Sequence, residues 1–461
     1  MEAAGRVPCN RAMVPELLAK YDQRVPRYTS YPTAPHFGPG VGAADYRRWL
    51  SDLDPDLPLS LYVHIPFCDS LCWFCGCHTK IVRRYAPVAR YLDLLLGEID
   101  MVADLLGSRR AACHVHLGGG TPTMLAPPDL ARLLRRIRDR FDVTADADIA
   151  VEIDPRGLDP GAIDVLAACG VNRVSLGLQD VNAEVQLAIN RVQPLDETRR
   201  VVEALRAAGL GAINVDLMYG LPYQTIERVR ATIDAARTLA PDRISLFGYA
   251  HVPWMKRHQR LIDEAALPGA DERFAQFAAA AERLGQGGYV RIGLDHFARP
   301  GDPLAKAARD GGLRRNFQGY TTDAAPVRLG FGPSAIGMLP QGYVQNEVAM
   351  PAYRSAVSAG HPPTTRGLRL TPDDRLRGAV IERLMCDLAV DLGAQCAQFG
   401  ADPRVFAEDL DALREMEADG IVAVDGRSIR VTETGRPFVR TVCAAFDRYL
   451  RPDETRHARA V

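Results

Sequence analysis

Three cysteines in one short loop, Cys68, Cys72 and Cys75, carry the clearest chemical signal of this chain. Their gaps of three and two residues allow three thiolates to ligate three irons of a [4Fe–4S] cluster, which normally takes four cysteines. The missing fourth protein ligand leaves one iron open for a small molecule. The spacing therefore predicts Cys68, Cys72 and Cys75 as the metal ligands of an iron–sulfur cluster.

A structural zinc site is the main alternative, because Cys77 or His78 could complete a set of four ligands. Zinc ribbons usually pair two CxxC knuckles separated by about a dozen residues or more. The sequence has no second knuckle. A disulfide is disfavoured, because nothing marks the chain as secreted.

Length and composition describe an ordinary globular protein of 461 residues with a net charge of −1. The length allows one α/β domain of about 250 residues and a smaller second domain. The net charge near zero gives no electrostatic reason to expect a nucleic acid or an anionic membrane as a partner. The sequence shows neither a signal peptide nor an apolar run of about 20 residues. We expect a cytoplasmic monomer without nucleic-acid partners or a membrane span.

The elements that must position the cysteines form a repeated pattern of apolar strand, turn and amphipathic helix. This pattern is typical of parallel βαβ units, and the strands look nearly continuous in hydrophobicity, as if both sheet faces were covered. Six units predict an α/β fold built on an incomplete (β/α)6-type barrel, with two later runs extending the sheet. The predicted strands span 60–66, 114–119, 149–154, 173–179, 213–220 and 243–250, and the extending runs span 289–298 and 327–337.

Three regions follow from this pattern: an irregular N-terminal arm over 1–55, a central domain over 56–364 and a helical C-terminal domain over 365–461. In the last region Thr371 is a predicted N-cap with Pro372 at the first helical position. Asp425-Gly426 predicts a hairpin, and 438–450 predicts a helix. A small winged-helix-like domain that packs against the rest, without nucleic-acid contacts, fits this order.

Several polar or glycine residues follow the barrel strands, where barrels of this kind place their active sites. Three consecutive glycines end the second strand, and they allow either close approach to a ligand or only a tight turn. Glu152, Gln179 and Asp216 interrupt apolar strands, so ligand binding or structural capping is expected. Arg191 could pair a ligand carboxylate or lie on the surface.

The cysteine loop, with Phe74 before its last cysteine, and the GGGTP segment (118–122) resemble the radical S-adenosylmethionine (SAM) superfamily. The resemblance implies that the amino and carboxylate groups of SAM bind the open iron, with GGGTP holding the amino group. It implies that an electron from the cluster cleaves SAM to a 5′-deoxyadenosyl radical.

Over nearly its whole length the chain resembles the oxygen-independent coproporphyrinogen III oxidases. The stretches that carry the resemblance include PRYTSYPTA (26–34), YVHIPFCDSLCWFCGCHT (62–79), HLGGGTPT (116–123), VEIDPR (151–156), SLGLQD (175–180), DLMYGLP (216–222), GYAHVP (248–253), LDHFARP (294–300), RNFQGYTT (315–322) and SAIGM (334–338). The resemblance implies oxidative decarboxylation of two propionates of coproporphyrinogen III to vinyl groups, giving protoporphyrinogen IX. It also implies an electron donor for the cluster and a final electron acceptor that the sequence does not name.

The family binds two SAM molecules beside the cluster, and eleven positions match its contacts. They are Tyr62, Phe74, Gly119, Gly120, Thr121, Glu152, Gln179, Arg191, Asp216, Ala250 and Ile336. Cys77 is a further catalytic candidate. No pattern identifies the residues that hold the porphyrinogen, although the basic side chains of Arg27, Lys80 and Arg315 could pair its carboxylates.

Three alternative functions remain open on the sequence. A related haem chaperone keeps the barrel but would lack the 26–34 and NFQGYTT stretches, both of which are present. A radical SAM methyltransferase would use the second SAM as methyl donor. A zinc-bound structural protein would contain no iron.

Overall fold

The computed structural model describes residues 14–451, without the side chains of residues 14 and 15. Residues 1–13 and 452–461, parts of the predicted N-terminal arm and C-terminal domain, lie outside the described residues. Within the described part, no helix combines the length and the apolar character needed to span a lipid bilayer.

The strands, in chain order, are β1 Leu59–Ile65, β2 Phe67–Cys68, β3 Lys80–Ile81, β4 Ala111–Gly119, β5 Asp142–Ile153, β6 Arg173–Gln179, β7 Ala212–Tyr219, β8 Arg243–Gly248, β9 Val290–Ile292, β10 His296–Ala298, β11 Arg314–Asn316, β12 Gly319–Thr321, β13 Val327–Phe331, β14 Ile336–Leu339, β15 Gly342–Asn346, β16 Thr364–Arg369, β17 Ala389–Asp391, β18 Val422–Asp425 and β19 Ser428–Val431.

The α-helices are α1 Val14–Tyr21, α2 Ala43–Ser51, α3 Ala86–Leu105, α4 Pro127–Arg140, α5 Pro160–Ala168, α6 Ala183–Ala188, α7 Leu195–Ala207, α8 Ile226–Thr238, α9 Ala270–Gln286, α10 Pro303–Asp310, α11 Met350–Ser358, α12 Pro372–Asp387, α13 Leu392–Phe399, α14 Ala407–Ala418 and α15 Val439–Ala444. Short 3-10 helices lie at Ala34–His36, Pro122–Met124, Arg257–Leu261, Glu264–Ala266, Pro403–Phe406 and Arg436–Phe438.

One twelve-stranded sheet forms the barrel, in the order β16-β15-β14-β13-β1-β4-β5-β6-β7-β8-β10-β9. The strands from β13 to β8 run parallel, and antiparallel strands extend both edges. The two edge strands β16 and β9 do not pair, so the barrel stays open. The prediction of an incomplete barrel with added strands is confirmed, and the two extending runs lie at opposite edges, each folded as two strands.

The inner face of the barrel differs from the expectation of continuous hydrophobicity. In β6 and β7 the residues under the outer helices are buried, whereas alternate inward residues are half-buried. Ser175, Asn214 and Asp216 are among these inward residues. The expectation was wrong for these strands, because side chains alternate between faces and the inner face lines a polar cavity.

The predicted irregular structure of residues 1–55 is wrong at Val14–Tyr21 and Ala43–Ser51, where α1 and α2 form. In α2 the apolar side chains of Tyr46, Trp49 and Leu50 pack on the barrel core, which stabilises a helix that neighbouring prolines and glycines obscure in the sequence. Tyr28 and Tyr31 lie in a second core shared with α12 and α15.

The C-terminal elements follow the sequence signals up to the last helix. Thr371 caps α12 with Pro372 at its first position, and β18 and β19 form the hairpin with its turn at Gly426. The predicted helix over 438–450 is wrong beyond residue 444. There the Asp447 carboxylate accepts the N–H groups of Tyr449 and Leu450, at 2.9 and 3.2 Å, in competition with helical bonding.

Candidate active site

The cysteine loop leaves the C-terminal end of β1 and is closed at its base by pairing of β2 with β3. Cys72 is buried, Cys68 and Cys75 are half-buried, and none of the three is in a disulfide. The N–H of Cys75 donates to the Cys72 carbonyl at 3.1 Å, which folds the loop back on itself. The three predicted ligands therefore share one face of a short, internally bonded loop.

The loop is held from one side by the turn after α6. The N–H of Trp73 donates to the Ile189 carbonyl at 2.9 Å. The Asn190 side-chain amide donates to the Leu71 carbonyl at 2.8 Å. Asn190 has a φ of 53°, a left-handed conformation that asparagine tolerates better than most residues. These bonds position the outer arm of the loop.

A second clamp comes from the 3-10 helix after β8. The His258 ring donates from Nε2 to the Cys75 carbonyl at 2.8 Å. Gln259, with 1% of its surface exposed, donates to the carbonyls of Phe74 and Ala250 at 3.1 and 3.2 Å. Sequence reasoning missed both residues, because nothing in their own segment indicates contact with a loop so distant in the chain.

A charged network surrounds the Cys72 sulfur. Arg156 and Arg191 each place a guanidinium nitrogen 3.5 Å from Cys72 Sγ, and both pair with Asp154, at 2.6 and 3.0 Å. Burial raises the pKa of Asp154, but these two arginines hold it below its ordinary value. Asp154 and Arg156 were missed as site residues, although a charged DPR segment directly after β5 was a usable signal.

The cysteine loop, the glycine segment after β4 and the ends of β5, β6 and β7 enclose one cavity, called here the cysteine cavity. The structure brings eleven of the fifteen predicted residues to its wall: Cys68, Cys72, Cys75, Cys77, Phe74, Gly119, Gly120, Glu152, Gln179, Arg191 and Asp216.

Four predicted residues do not line the cysteine cavity. Tyr62 lies on β1, and Thr121 turns its hydroxyl toward the backbone. Ala250 lines a different cavity. Ile336 begins β14, in the sheet extension beyond β13. The roles of these four residues toward SAM stay predictions.

The Glu152 carboxylate forms hydrogen bonds with two groups of the protein. His116 Nε2 lies 2.9 Å from Glu152 Oε1, and the N–H of Gly119 donates to Oε2 at 3.2 Å. Burial raises the pKa of Glu152, but these bonds together hold it below its ordinary value. An ionised Glu152 therefore faces the cavity with acceptor capacity to spare.

Asp216 has neutral partners instead. Its carboxylate accepts from Ser175 Oγ at 2.9 Å and from Asn214 Nδ2 at 2.8 Å. Burial, the largest influence, raises the pKa of Asp216. A carboxylate that is bonded only by uncharged groups suits a ligand hydroxyl better than a structural ion pair.

The packing of the protein itself requires glycines at the end of β4 and directly after it. A Cβ on Gly120 would lie 2.4 Å from the Phe67 carbonyl oxygen, and one on Gly118 would lie 2.8 Å from Glu152 Oε1. Gly120 N–H donates to Ile65 at 2.8 Å. The glycine segment thus docks directly on the chain that enters the cysteine loop, which accounts for its composition before any ligand is considered.

This donor set fits a three-cysteine [4Fe–4S] cluster with SAM beside it. Three free thiols, two guanidinium groups that approach one sulfur, and the carboxylates of Glu152 and Asp216 all line the cavity. Cys77 lines both this cavity and the polar interior of the barrel, and its N–H donates to Cys75 Sγ at 3.4 Å. The hydrogen bond with the Cys77 thiol lowers the pKa of Cys75 to about 7.

Family models match two parts of the chain. The Radical SAM superfamily matches residues 62–236, and the HemN C-terminal domain matches residues 370–438.

Relatives and a solved structure extend over almost the whole chain. An oxygen-independent coproporphyrinogen III oxidase of Bradyrhizobium diazoefficiens is 51% identical, over 95% of this chain and 98% of its own. One from Salmonella typhimurium is 42% identical, over 94% and 95%. The coproporphyrinogen III oxidase HemN of Escherichia coli, a radical SAM enzyme, superposes with a TM-score of 0.88 at 41% identity, covering 93% of this chain and all of that one. With its cysteine loop, its open barrel and this similarity, the chain belongs to the oxygen-independent coproporphyrinogen III oxidase family of radical SAM enzymes.

Proposed function

We propose that the chain converts coproporphyrinogen III to protoporphyrinogen IX in porphyrin and haem biosynthesis, by oxidative decarboxylation of two propionate side chains. The observation that carries the proposal is the cysteine loop opening on a cavity lined by Glu152, Asp216 and Arg191. Membership of a family whose relatives carry this oxidase name supports the substrate. No separate observation favours a haem chaperone or a methyltransferase.

Cys68, Cys72 and Cys75 hold the cluster in this proposal. When bound, the cluster and SAM supply a 5′-deoxyadenosyl radical, which removes a hydrogen atom. Arg156 and Arg191 donate toward the Cys72 sulfur and offset its negative charge. Asp154 holds both guanidinium groups in place.

Each reacting propionate loses a hydrogen atom from its β carbon, then carbon dioxide and one electron, and becomes a vinyl group. Two propionates react in turn. The electron requires an acceptor, and the cluster requires a donor, so we propose two further redox partners. We place the enzyme in the cytoplasm as a monomer, since a reducing compartment suits its free thiols.

The SAM contacts remain the eleven predicted positions, and two SAM molecules are proposed. Phe74, Gly119, Gly120, Glu152, Gln179, Arg191 and Asp216 line the cysteine cavity, which supports their assignment. Tyr62, Thr121, Ala250 and Ile336 depend on the family resemblance alone.

The proposed regions are an arm over 1–55, a radical SAM catalytic domain over 56–364 and a C-terminal domain over 365–461. The first and last cover the open barrel and keep water from a reactive radical. Their shared core, which includes Tyr28, Tyr31 and Val380, supports that joint role.

The test is anaerobic reconstitution with iron and sulfide, followed by reaction with SAM, dithionite and coproporphyrinogen III. We expect about four irons per chain. Chromatography of the oxidised products should show protoporphyrin, with a three-propionate intermediate and release of carbon dioxide. A methylated porphyrin, intact substrate despite SAM cleavage, or zinc in place of iron would each contradict the proposal.

A further inference from the structure

A second cavity lies beside the cysteine cavity, where the N-terminal segment, α9 and the C-terminal domain meet the ends of β7 and β8. Its volume is about 450 Å³, within the usual range of ligand sites. Five guanidinium groups and two carboxylates line it; the arginines are Arg24, Arg27, Arg273, Arg315 and Arg440. This space, called here the basic cavity, has a marked excess of positive charge.

Arg315 gives the strongest sign that the basic cavity is built for an anion. Its side chain is only 4% exposed, and its Nε and Nη1 have no hydrogen-bond partner among the described residues. The nearest carboxylate, on Asp295, is 3.9 Å from Nη1 and is bonded by His296 at 2.8 Å. Buried donors left without acceptors cost stability unless a ligand satisfies them.

Arg27 and Arg273 extend the same positive surface. Arg27 donates to the Gly248 carbonyl at 3.0 Å, and Arg273 donates to the Tyr249 carbonyl at 2.9 Å. Burial is the largest influence on the pKa of Arg27 and lowers it; the Asp295 carboxylate opposes this change, and Arg315 and Arg273 add to the lowering. Guanidinium groups that face one another in a confined space repel, and a bound polyanion removes that repulsion.

The rest of the wall is aromatic and apolar. Tyr219, Tyr249, Phe274 and Phe277 line it, and Trp254 at the edge is 51% exposed. An apolar tetrapyrrole macrocycle with carboxylates on its periphery matches this combination better than a small inorganic anion does, because such an anion needs no aromatic wall.

The basic cavity is next to the predicted chemistry. Ala250 lines it, Phe74 lines the cysteine cavity, and the Gln259 side chain bonds the carbonyls of both residues. We propose that the basic cavity anchors the non-reacting propionates of the tetrapyrrole through Arg27, Arg273 and Arg315, so that a further propionate reaches the cysteine cavity. The inference rests on the proposed function and names the groups that hold the substrate.

The experiment compares Arg27→Gln and Arg273→Gln with Arg283→Gln. Arg283 lies on the same helix as Arg273 but pairs with Asp234 on the outside, so it is the matched control. The probes are coproporphyrin III, with four propionates, and mesoporphyrin IX, with two, titrated into reconstituted enzyme by fluorescence. KM for coproporphyrinogen III and Kd for SAM are measured on the same preparations, with iron content and Tm as checks of folding.

We expect Arg27→Gln and Arg273→Gln each to raise the Kd for coproporphyrin III and the KM by roughly tenfold. The effect on mesoporphyrin should be smaller, and the Kd for SAM should not change. The control should match wild type. Unchanged porphyrin Kd and KM in both Arg27→Gln and Arg273→Gln, or a change in SAM affinity instead, would overturn the inference. Porphyrin binding that depends on these arginines in an enzyme unable to decarboxylate would overturn the proposed function alone.

Discussion

At the scale of single residues, the site contains one carboxylate paired with arginines and another bonded by neutral side chains. Asp154, Arg156 and Arg191 form a closed network against the Cys72 sulfur. Asp216 lines the same cavity, and its hydrogen-bond donors among the described residues are the neutral side chains of Ser175 and Asn214. The first arrangement stabilises the cysteine loop, and the second leaves a carboxylate available to a ligand.

Cys72→Ser should abolish the cluster and SAM cleavage, because serine oxygen is a poor ligand for this soft site. Cys77→Ser should retain the cluster, since Cys77 lies at the junction of two cavities and a fourth protein ligand would block SAM. Iron analysis and 5′-deoxyadenosine release after anaerobic reconstitution measure both. Loss of iron in Cys77→Ser would contradict the open-iron assignment.

Asp216→Asn should weaken SAM binding by about tenfold, because a charge-assisted bond to the ligand is lost. Asp148→Asn is the control, since Asp148 lies on the same inner face but pairs with Arg173 at 2.7 Å. The control should lower Tm while SAM affinity stays unchanged. Isothermal titration with SAM, beside thermal unfolding, separates the two results. Equal SAM affinity in Asp216→Asn and wild type would refute a ligand role.

The residues found from sequence and those missed differ for a physical reason. That Cys68, Cys72 and Cys75 lie together could be predicted because they share one short loop, whereas Phe74 was named from the family resemblance. The role of Gln259 could not be predicted, because it bonds the Phe74 carbonyl, 185 positions away in the chain. Contacts of that kind exist only once the barrel has formed.

At the scale of elements, the glycine segment after β4 couples two parts of the site. Its backbone bonds the exit of β1, and Gly118 lies against Glu152. The strand order of the barrel could be predicted from the alternation of strands and helices along the chain, since successive parallel βαβ units usually place consecutive strands side by side. The polar inner face could not, because a half-buried serine or asparagine carries no distinct sequence signal.

Gly120→Ala should disrupt the cysteine loop, because its Cβ would meet the Phe67 carbonyl oxygen at 2.4 Å and backbone cannot move aside cheaply. We expect reduced iron content after reconstitution and a lower Tm. Gly97→Ala is the control: it lies inside α3, where the nearest atom is an ordinary 3.8 Å away on Val357. That change should leave the free energy of unfolding unchanged or raise it slightly, by up to about 1 kcal/mol. Full iron content in Gly120→Ala would disprove the coupling.

At the scale of the whole molecule, a buried carboxylate joins α3 to the sheet extension. Glu98, 1% exposed, accepts from the Tyr353 hydroxyl at 2.6 Å, from Asn346 at 2.6 Å and from the Gly332 N–H at 2.8 Å. Burial outweighs these bonds and raises the pKa of Glu98 from 4.5 to about 7. The folded state therefore favours the protonated form.

The consequence is a pH-dependent stability. The pKa of Glu98 is higher in the folded state than in the unfolded state. The contribution of Glu98 to the stability of the protein should therefore be greatest below pH 4.5 and decrease as the pH rises to 7. The shift corresponds to about 3 kcal/mol. The free energies of unfolding of wild type and Glu98→Gln are measured with denaturant across this pH range. Their difference isolates the contribution of Glu98, because all other titrating groups are common to both proteins. Parallel curves for the two proteins would show that Glu98 does not titrate in this way.

The N-terminal segment and the C-terminal domain behave as one structural unit, which the sequence pattern did not indicate. The tyrosine-rich stretch resembles an irregular arm in composition, yet its rings complete a core supplied by helices at the other end of the chain. Arg440 bonds the carbonyls of Val25 and Pro26, the latter at 2.9 Å. Only the assembled fold reveals why these tyrosines are present.

Tyr28→Ala should loosen this unit while the barrel stays intact. Tyr28 is 3% exposed in the shared core, so losing its ring should cost about 3–5 kcal/mol. Tyr28→Phe is the matched control, because it removes only the hydroxyl that donates to Asp447 at 3.0 Å, a loss of about 1 kcal/mol. Limited proteolysis should cut α12–α15 of the alanine variant first, and cluster content should persist, because the barrel core is separate. The same variant should bind coproporphyrin III more weakly, since Arg27 lies next to Tyr28 in the segment that would detach. Simultaneous loss of the barrel and the C-terminal domain would show instead that the two cores unfold as one.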